Sequence, residues 1–174
     1  MSENCPEIQE STTSAKLGFT LIEMIITMAV MAIMISAGVA AYNTFNRRQT
    51  LSQAVETLRN DMRMAQNKAI SGEKPAGFCV GPLQLNGYRI VFDAAPTPDQ
   101  YRIEAVCSNL ASTAVKTISL PNSVSISAGP EIYFRVGTQG VEMAASDASR
   151  TVTLAGFGLA RSITVTRQGQ ITLN

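Results

Sequence analysis

From Met24 to Asn46 the chain runs 23 residues without a charged side chain. At about 1.5 Å per helical residue that run is roughly 35 Å long, enough to cross the hydrocarbon of a bilayer with some tilt. Beyond Arg47 the pattern changes but keeps a helical period: Leu51, Ala54, Val55, Leu58, Met62, Ala65 and Ala69 recur at steps of three and four, while Glu56, Arg59, Asn60, Arg63 and Lys68 take positions between them. This is one apolar stripe on an amphipathic helix. No proline occurs from Thr20 to Ser71, and Gly72 and Pro75 follow, so a single helix of roughly 50 residues and 75 Å is expected to end there.

After Pro75 the period falls to two. Short apolar runs predict strands at Ala76–Val80, Leu83–Phe92, Tyr101–Cys107, Ala114–Leu120, Val124–Ala128, Glu131–Val136, Gly140–Ala144, Thr151–Ala155, Ser162–Arg167 and Gln170–Leu173, with Ile132, Phe134 and Val136, and again Ile163 and Val165, each lining one face. Turns are predicted at Asn86-Gly87, Pro96-Thr97-Pro98, Pro121-Asn122, Gly129-Pro130, Gln139-Gly140 and Gln168-Gly169, where glycine, proline and asparagine supply the required backbone angles. The fold class is therefore α+β, a long N-terminal helix packed on an antiparallel β-rich head.

Composition narrows the function. The chain has 174 residues and neither histidine nor tryptophan, so the commonest general base and metal ligand is missing. No serine has a base to activate it and no glycine-rich phosphate loop precedes a helix; we read the chain as no enzyme and expect no cofactor or metal. Asp93, Asp99, Glu104 and Glu131 are expected at strand ends on solvated surface. Residues 47–174 hold thirteen Lys and Arg against nine Asp and Glu, which sets no demand for nucleic acid. Arg150, Arg161 and Arg167 lie within 18 residues; they are either a solvated strand face or, if neighbouring strands gather them, a phosphate-binding patch. The cysteines are Cys5, Cys79 and Cys107. Cys79 and Cys107 are read as a disulfide that closes a loop or as two buried thiols, since spacing alone gives no Cα distance.

One carboxylate, Glu23, stands just before the uncharged run, where a charge is costly in lipid and calls for a partner or a function. The stretch Gly18-Phe19-Thr20-Leu21-Ile22-Glu23 leading into an apolar helix resembles the prepilin signature of type IV pilins and type II secretion pseudopilins. The resemblance implies that a membrane peptidase cuts between Gly18 and Phe19, that the new N-terminus is methylated, and that Glu23 becomes the fifth mature residue. It implies a leader at 1–18, a transmembrane and assembly helix at 19–46, the amphipathic half of the same helix at 47–71 and the head at 72–174. Cys5 then leaves with the leader. The leader departs from the family's short basic habit, holding Glu3, Glu7 and Glu10 against Lys16. Lys16 before the span against Arg47 and Arg48 after it would by charge alone favour the reverse orientation; the cytoplasmic action of the peptidase places Gly18 inside and the head outside the cytoplasm.

Two further stretches, Ala65-Gln66-Asn67-Lys68-Ala69-Ile70 leading to Gly77-Phe78-Cys79-Val80, and Phe134 with Gly137 ahead of Ile163-x-Val165 and Gly169-x-Ile171, are similar to the GspH/FimT branch of that family, with Gln66 where the branch carries arginine. The branch implies a minor pilin or pseudopilin, a structural subunit of a pilus or pseudopilus at the tip or in priming. Its partners would be other pilins, the prepilin peptidase, the inner-membrane assembly platform and the lipid bilayer. The alternative is a tip adhesin or DNA-uptake receptor, for which the three arginines are the residues to watch.

Overall fold

The computed structural model describes residues 18–94, 97–127, 129, 131–143 and 146–174, the side chains of residues 37 and 40 excepted. Most of the expected leader, with Cys5, lies outside these residues. The elements are α1 (Leu21–Ser71), β1 (Leu85–Asp93), β2 (Gln100–Cys107), β3 (Ser112–Ser119), β4 (Val124–Ile126), β5 (Ile132–Arg135), β6 (Val141–Glu142), β7 (Ser149–Gly156), β8 (Leu159–Thr166) and β9 (Ile171–Leu173). By their contacts residues divide into two units, Met1–Tyr42 and Asn43–Asn174.

In the first unit α1 begins at Leu21 because Thr20 caps it: the Thr20 side-chain oxygen accepts the backbone N–H of Glu23 at 3.3 Å, and the Met24 N–H closes the first helical bond onto Thr20 O at 3.2 Å. Thr-x-x-Glu at a helix start is a capping-box sequence, and an acid in the first turn suits the positive end of the helix dipole. The hydroxyls of Thr27 and Ser36 further along donate back to the carbonyls of Met24 and Ile33, so neither needs water in an apolar surrounding. Here the helix is almost wholly apolar and its described side chains from Leu21 to Tyr42 are exposed, the pattern of a membrane span.

In the second unit the seven stripe residues from Leu51 to Ala69 are all buried. Ala65 and Ala69 present no bulk, which lets the sheets approach the helix. The C-terminus of α1 is a Schellman motif: Gly72 takes φ +64°, its N–H bonds Ala69 O, and the Glu73 N–H bonds Lys68 O. Those two bonds satisfy carbonyls the helix end leaves open, and the Lys68–Glu73 ion pair spans the same turn.

Two antiparallel sheets carry the rest, one in the order β3-β2-β1-β5-β6 and one in the order β4-β7-β8-β9. Tyr88, Ile90, Phe92, Tyr101, Ile103, Ile132 and Phe134 of the first join Val152, Leu154, Ile163 and Val165 of the second and the α1 stripe in one core. Period-two alternation in β1, β2, β7 and β8 has put these side chains on the inner faces.

Three local expectations are corrected. Ala76–Val80 is not a strand: Gly77, Cys79 and Gly81 take φ of +72°, +53° and +69°, left-handed angles that no ladder accommodates. Asn86-Gly87 is not a turn but part of β1, with Gly87 opposite Val106 and Arg135. Glycine is needed there because the Tyr133 ring and Phe134 O occupy the space of a Cβ. Glu104 is not at a strand end on solvated surface: it lies within β2 and is buried, held by Arg89 Nη2 at 2.7 Å and Arg102 Nε at 3.7 Å.

The irregular 73–84 segment is tied down by Cys79, whose sulfur is bonded to that of Cys107 at the end of β2, Cα atoms 5.6 Å apart and 28 residues apart in sequence. In the chain-entropy account a loop of that length contributes about 3.5 kcal/mol. Cys79→Ser in the Asn43–Asn174 unit should therefore lower unfolding stability by about 3–4 kcal/mol. Urea unfolding with and without reductant measures it, and a midpoint indifferent to reductant would remove the bond from the account.

Candidate functional site

Gly18, Phe19 and Glu23 lie together at the start of α1. Residues 18–20 are outside any helix or strand, and Phe19 is exposed. A Cβ built on Gly18 meets nothing within 4 Å. Among the described residues nothing in the fold calls for glycine at this position, so a requirement for it must come from something that grips the backbone there. Glu23 is one helical turn further on, its carboxylate among exposed apolar side chains including Ile22 and Met24.

The three arginines are not gathered. Arg150 opposes Val165 and Arg161 opposes Leu154 in the β7–β8 ladder. Arg161 and Arg167 are six residues apart along β8 and its end, about 20 Å. Arg150 and Arg167 converge on one residue, Asp147, through its carboxylate at 3.5 Å and its backbone oxygen at 2.6 Å respectively, while Arg161 lies beside Ser52 and Glu56 of α1. One end of this sheet thus has two arginines committed to Asp147, and the arrangement offers no continuous phosphate track.

A buried cluster that composition does not reveal lies deeper. Asp61 accepts from the Tyr101 hydroxyl at 2.7 Å and from Lys116 Nζ at 2.6 Å, joining α1 to β2 and to the outer strand β3. Its position was legible: Asp61 falls three after Leu58 and four before Ala65, on the apolar stripe itself. The carboxylate is buried and both its oxygens are bonded, so the cluster ties the head to the helix. The phenol of Tyr101 is pushed well above its ordinary value, first by burial and then by the Asp61 bond and charge. Tyr88 and Tyr133 shift the same way, chiefly by burial.

These shifts fix a sign. Below about pH 10 all three phenols are neutral in both folded and unfolded chains and contribute in full. Above it the unfolded chain loses protons that the folded chain keeps, so stability falls as pH rises through the raised folded values. For Tyr101 alone the slope is about 1.4 kcal/mol per pH unit. Denaturant midpoints between pH 9 and 11.5 should fall more steeply for the wild-type unit than for Tyr101→Phe; equal slopes would contradict the assignment.

Gln66, the departure from the branch pattern, donates both amide hydrogens to the head, to Gln139 O at 2.7 Å and Gly169 O at 3.0 Å. Gly169 has φ +87°, and a Cβ there would overlap Gln139 O and Gln66 Nε2. Gly137, with φ +75°, donates its N–H to Ala69 O at 3.1 Å. Gln66, Ala69, Gly137 and Gly169 are thus residues at which helix and head meet.

Elsewhere a cleft of about 660 Å³ is lined by Thr97, Asp99, Asn122 and Ser125 among others. Its carboxylate is occupied in accepting the Ile126 N–H at 2.8 Å. Among the described residues no group of three or more metal-ligating side chains occurs.

Residues 13–39 match the family model of the prokaryotic N-terminal methylation motif. No curated protein and no solved structure matches the chain.

Proposed function

With a type IV prepilin-like N-terminus on a pilin-like α+β frame as the premise, we propose that this protein is a minor pilin or pseudopilin of the GspH/FimT type, assembled through the first half of α1 and acting in priming or at the tip of a filament. The observation that carries the reading is the methylation motif set on an exposed, uncharged helix that continues directly into the stripe holding the head. A structural subunit rather than an enzyme is what the motif points to. Maturation between Gly18 and Phe19 releases the mature helix, the membrane stores it with the head outside the cytoplasm, and the assembly platform and neighbouring pilins receive it.

The minor role rests on the head. Its branch residues Ala65, Ala69, Gly137, Ile163, Val165, Gly169 and Ile171 are spent on internal helix–sheet contact. The irregular 73–84 segment is tied to the end of β2 through the Cys79–Cys107 bond rather than left free as an adhesive loop. The long outer strand β3 is broken by a bulge between its pairings with Ile103 and Glu104, and Lys116 turns inward to Asp61. Both features discourage strand addition from a neighbour. The chain is accordingly expected in sheared filaments far below the dominant subunit. Quantitative proteomics of the native host's filaments measures this, and its recovery as the main shaft component would overturn the minor assignment.

A further inference from the structure

The β7–β8 hairpin turns on Phe157-Gly158, with φ of +56° and +76° and Gly156 paired to Leu159 across it. Two successive positive φ values define a turn that favours asparagine, aspartate or glycine, and a bulky residue in the first place carries a backbone cost. Phenylalanine stands there nonetheless, 38% exposed, and Leu159 beside it is 41% exposed. The fold does not explain an apolar tip on a two-residue turn.

Its location does. The Phe157 ring lies 5.8 Å from the guanidinium carbon of Arg47, and Arg47 is the first charged residue after the uncharged run of α1. Phe45, two residues earlier, is exposed as well. Among the described residues neither Arg47 nor Arg48 has a carboxylate within ion-pair distance. Within the Asn43–Asn174 unit the hairpin tip is therefore level with the point where the helix leaves its uncharged run: the Phe157 ring meets Arg47, Arg48 is the next residue of α1, and Leu159 is exposed two residues after Phe157. Lipid phosphates over acyl chains offer the matching chemistry at one depth: guanidinium groups bind headgroups, and rings and leucines sit at the acyl boundary.

We propose that the β7–β8 tip, Phe157 and Leu159, is a second membrane contact, dipping into the headgroup layer beside Arg47 and Arg48 and orienting the head of the stored subunit. This rests on the reading of the first half of α1 as a membrane span. A protein surface would have to supply both an apolar recess and an acid at this level; the bilayer supplies their equivalents wherever the span is inserted.

Because the chain has no tryptophan, Phe157→Trp and Leu159→Trp each create a single reporter. Val80→Trp, at an exposed site next to Cys79 and beyond the end of α1, is the control. Each full-length chain is reconstituted at low density in phosphatidylcholine–phosphatidylglycerol vesicles that contain lipid with a quencher near the headgroup. Both tip variants should show blue-shifted emission and about threefold more quenching than Val80→Trp, as expected of a group at the acyl boundary. Tip variants that float with the vesicles yet emit and quench like the control would overturn the contact while leaving the span intact. A blue shift without lipid quenching, lost on further dilution into lipid, would mean that a second copy covers the tip and would also overturn it. Failure to float would remove the span and this inference together.

Discussion

Glu23→Ala should leave membrane insertion and cleavage after Gly18 largely intact while reducing incorporation into filaments by about two orders of magnitude. The argument begins with the cost of the charge. In a membrane-stored monomer the carboxylate would lie near the interface, but among packed apolar helices an unpaired charge is strongly disfavoured. Cleavage after Gly18 would make a new α-amino group at Phe19, four residues away and opposite in sign. A neighbouring helix displaced along the filament axis can set its amine against Glu23, so that docking pairs both charges and fixes the axial register. Removing one partner of a buried pair costs about 3–5 kcal/mol because the other stays behind uncompensated. The competing account assigns Glu23 only to its own helix, where it follows the Thr20 cap in the first turn; such a contribution is worth about 0.3–1 kcal/mol. The two accounts differ by enough to separate cleanly. Pull-downs of sheared filaments, normalised to membrane levels, measure the difference, and incorporation within about twofold of wild type would favour the helix-terminus role.

Gly18→Val should abolish maturation and, with it, assembly. A side chain at Gly18 meets nothing within 4 Å among the described residues, so the substitution should leave the chain's own structure undisturbed and act only where the backbone would enter the peptidase. The unprocessed chain would also lack the Phe19 amine on which the pairing with Glu23 depends. A membrane-held precursor of full length, absent from sheared material, is the expected result on immunoblots. Normal processing of this variant would place the cut elsewhere.

The parts of this protein set by periodicity could be read from its sequence. An unbroken three-and-four spacing without proline marked α1 and its buried stripe, and period-two alternation marked the sheet strands, because side-chain direction follows backbone period directly. What periodicity does not encode was misread. Three left-handed residues around Cys79 turn an apolar run into a loop. At Gly87 the glycine answers a ring crossing the strand from Tyr133 rather than a reversal of the chain. Asp61 stands out only by its place on the stripe, three residues after Leu58 and four before Ala65, which its residue type does not signal. Whether Arg150, Arg161 and Arg167 meet depended on ladder register and strand length, which a list of arginines cannot supply. At the N-terminus the motif was legible because its chemistry is local: Gly18, Phe19 and Glu23 are within one stretch, and no tertiary contact is needed to bring them together.

The central claim is that this chain enters a filament as a processed prepilin. Intact-mass and N-terminal peptide analysis of the protein recovered from sheared filaments of its native host tests it directly. The account predicts a chain beginning at Phe19 with one methyl group on its α-amine; assembled chains beginning at Met1 or Ser2 would contradict it.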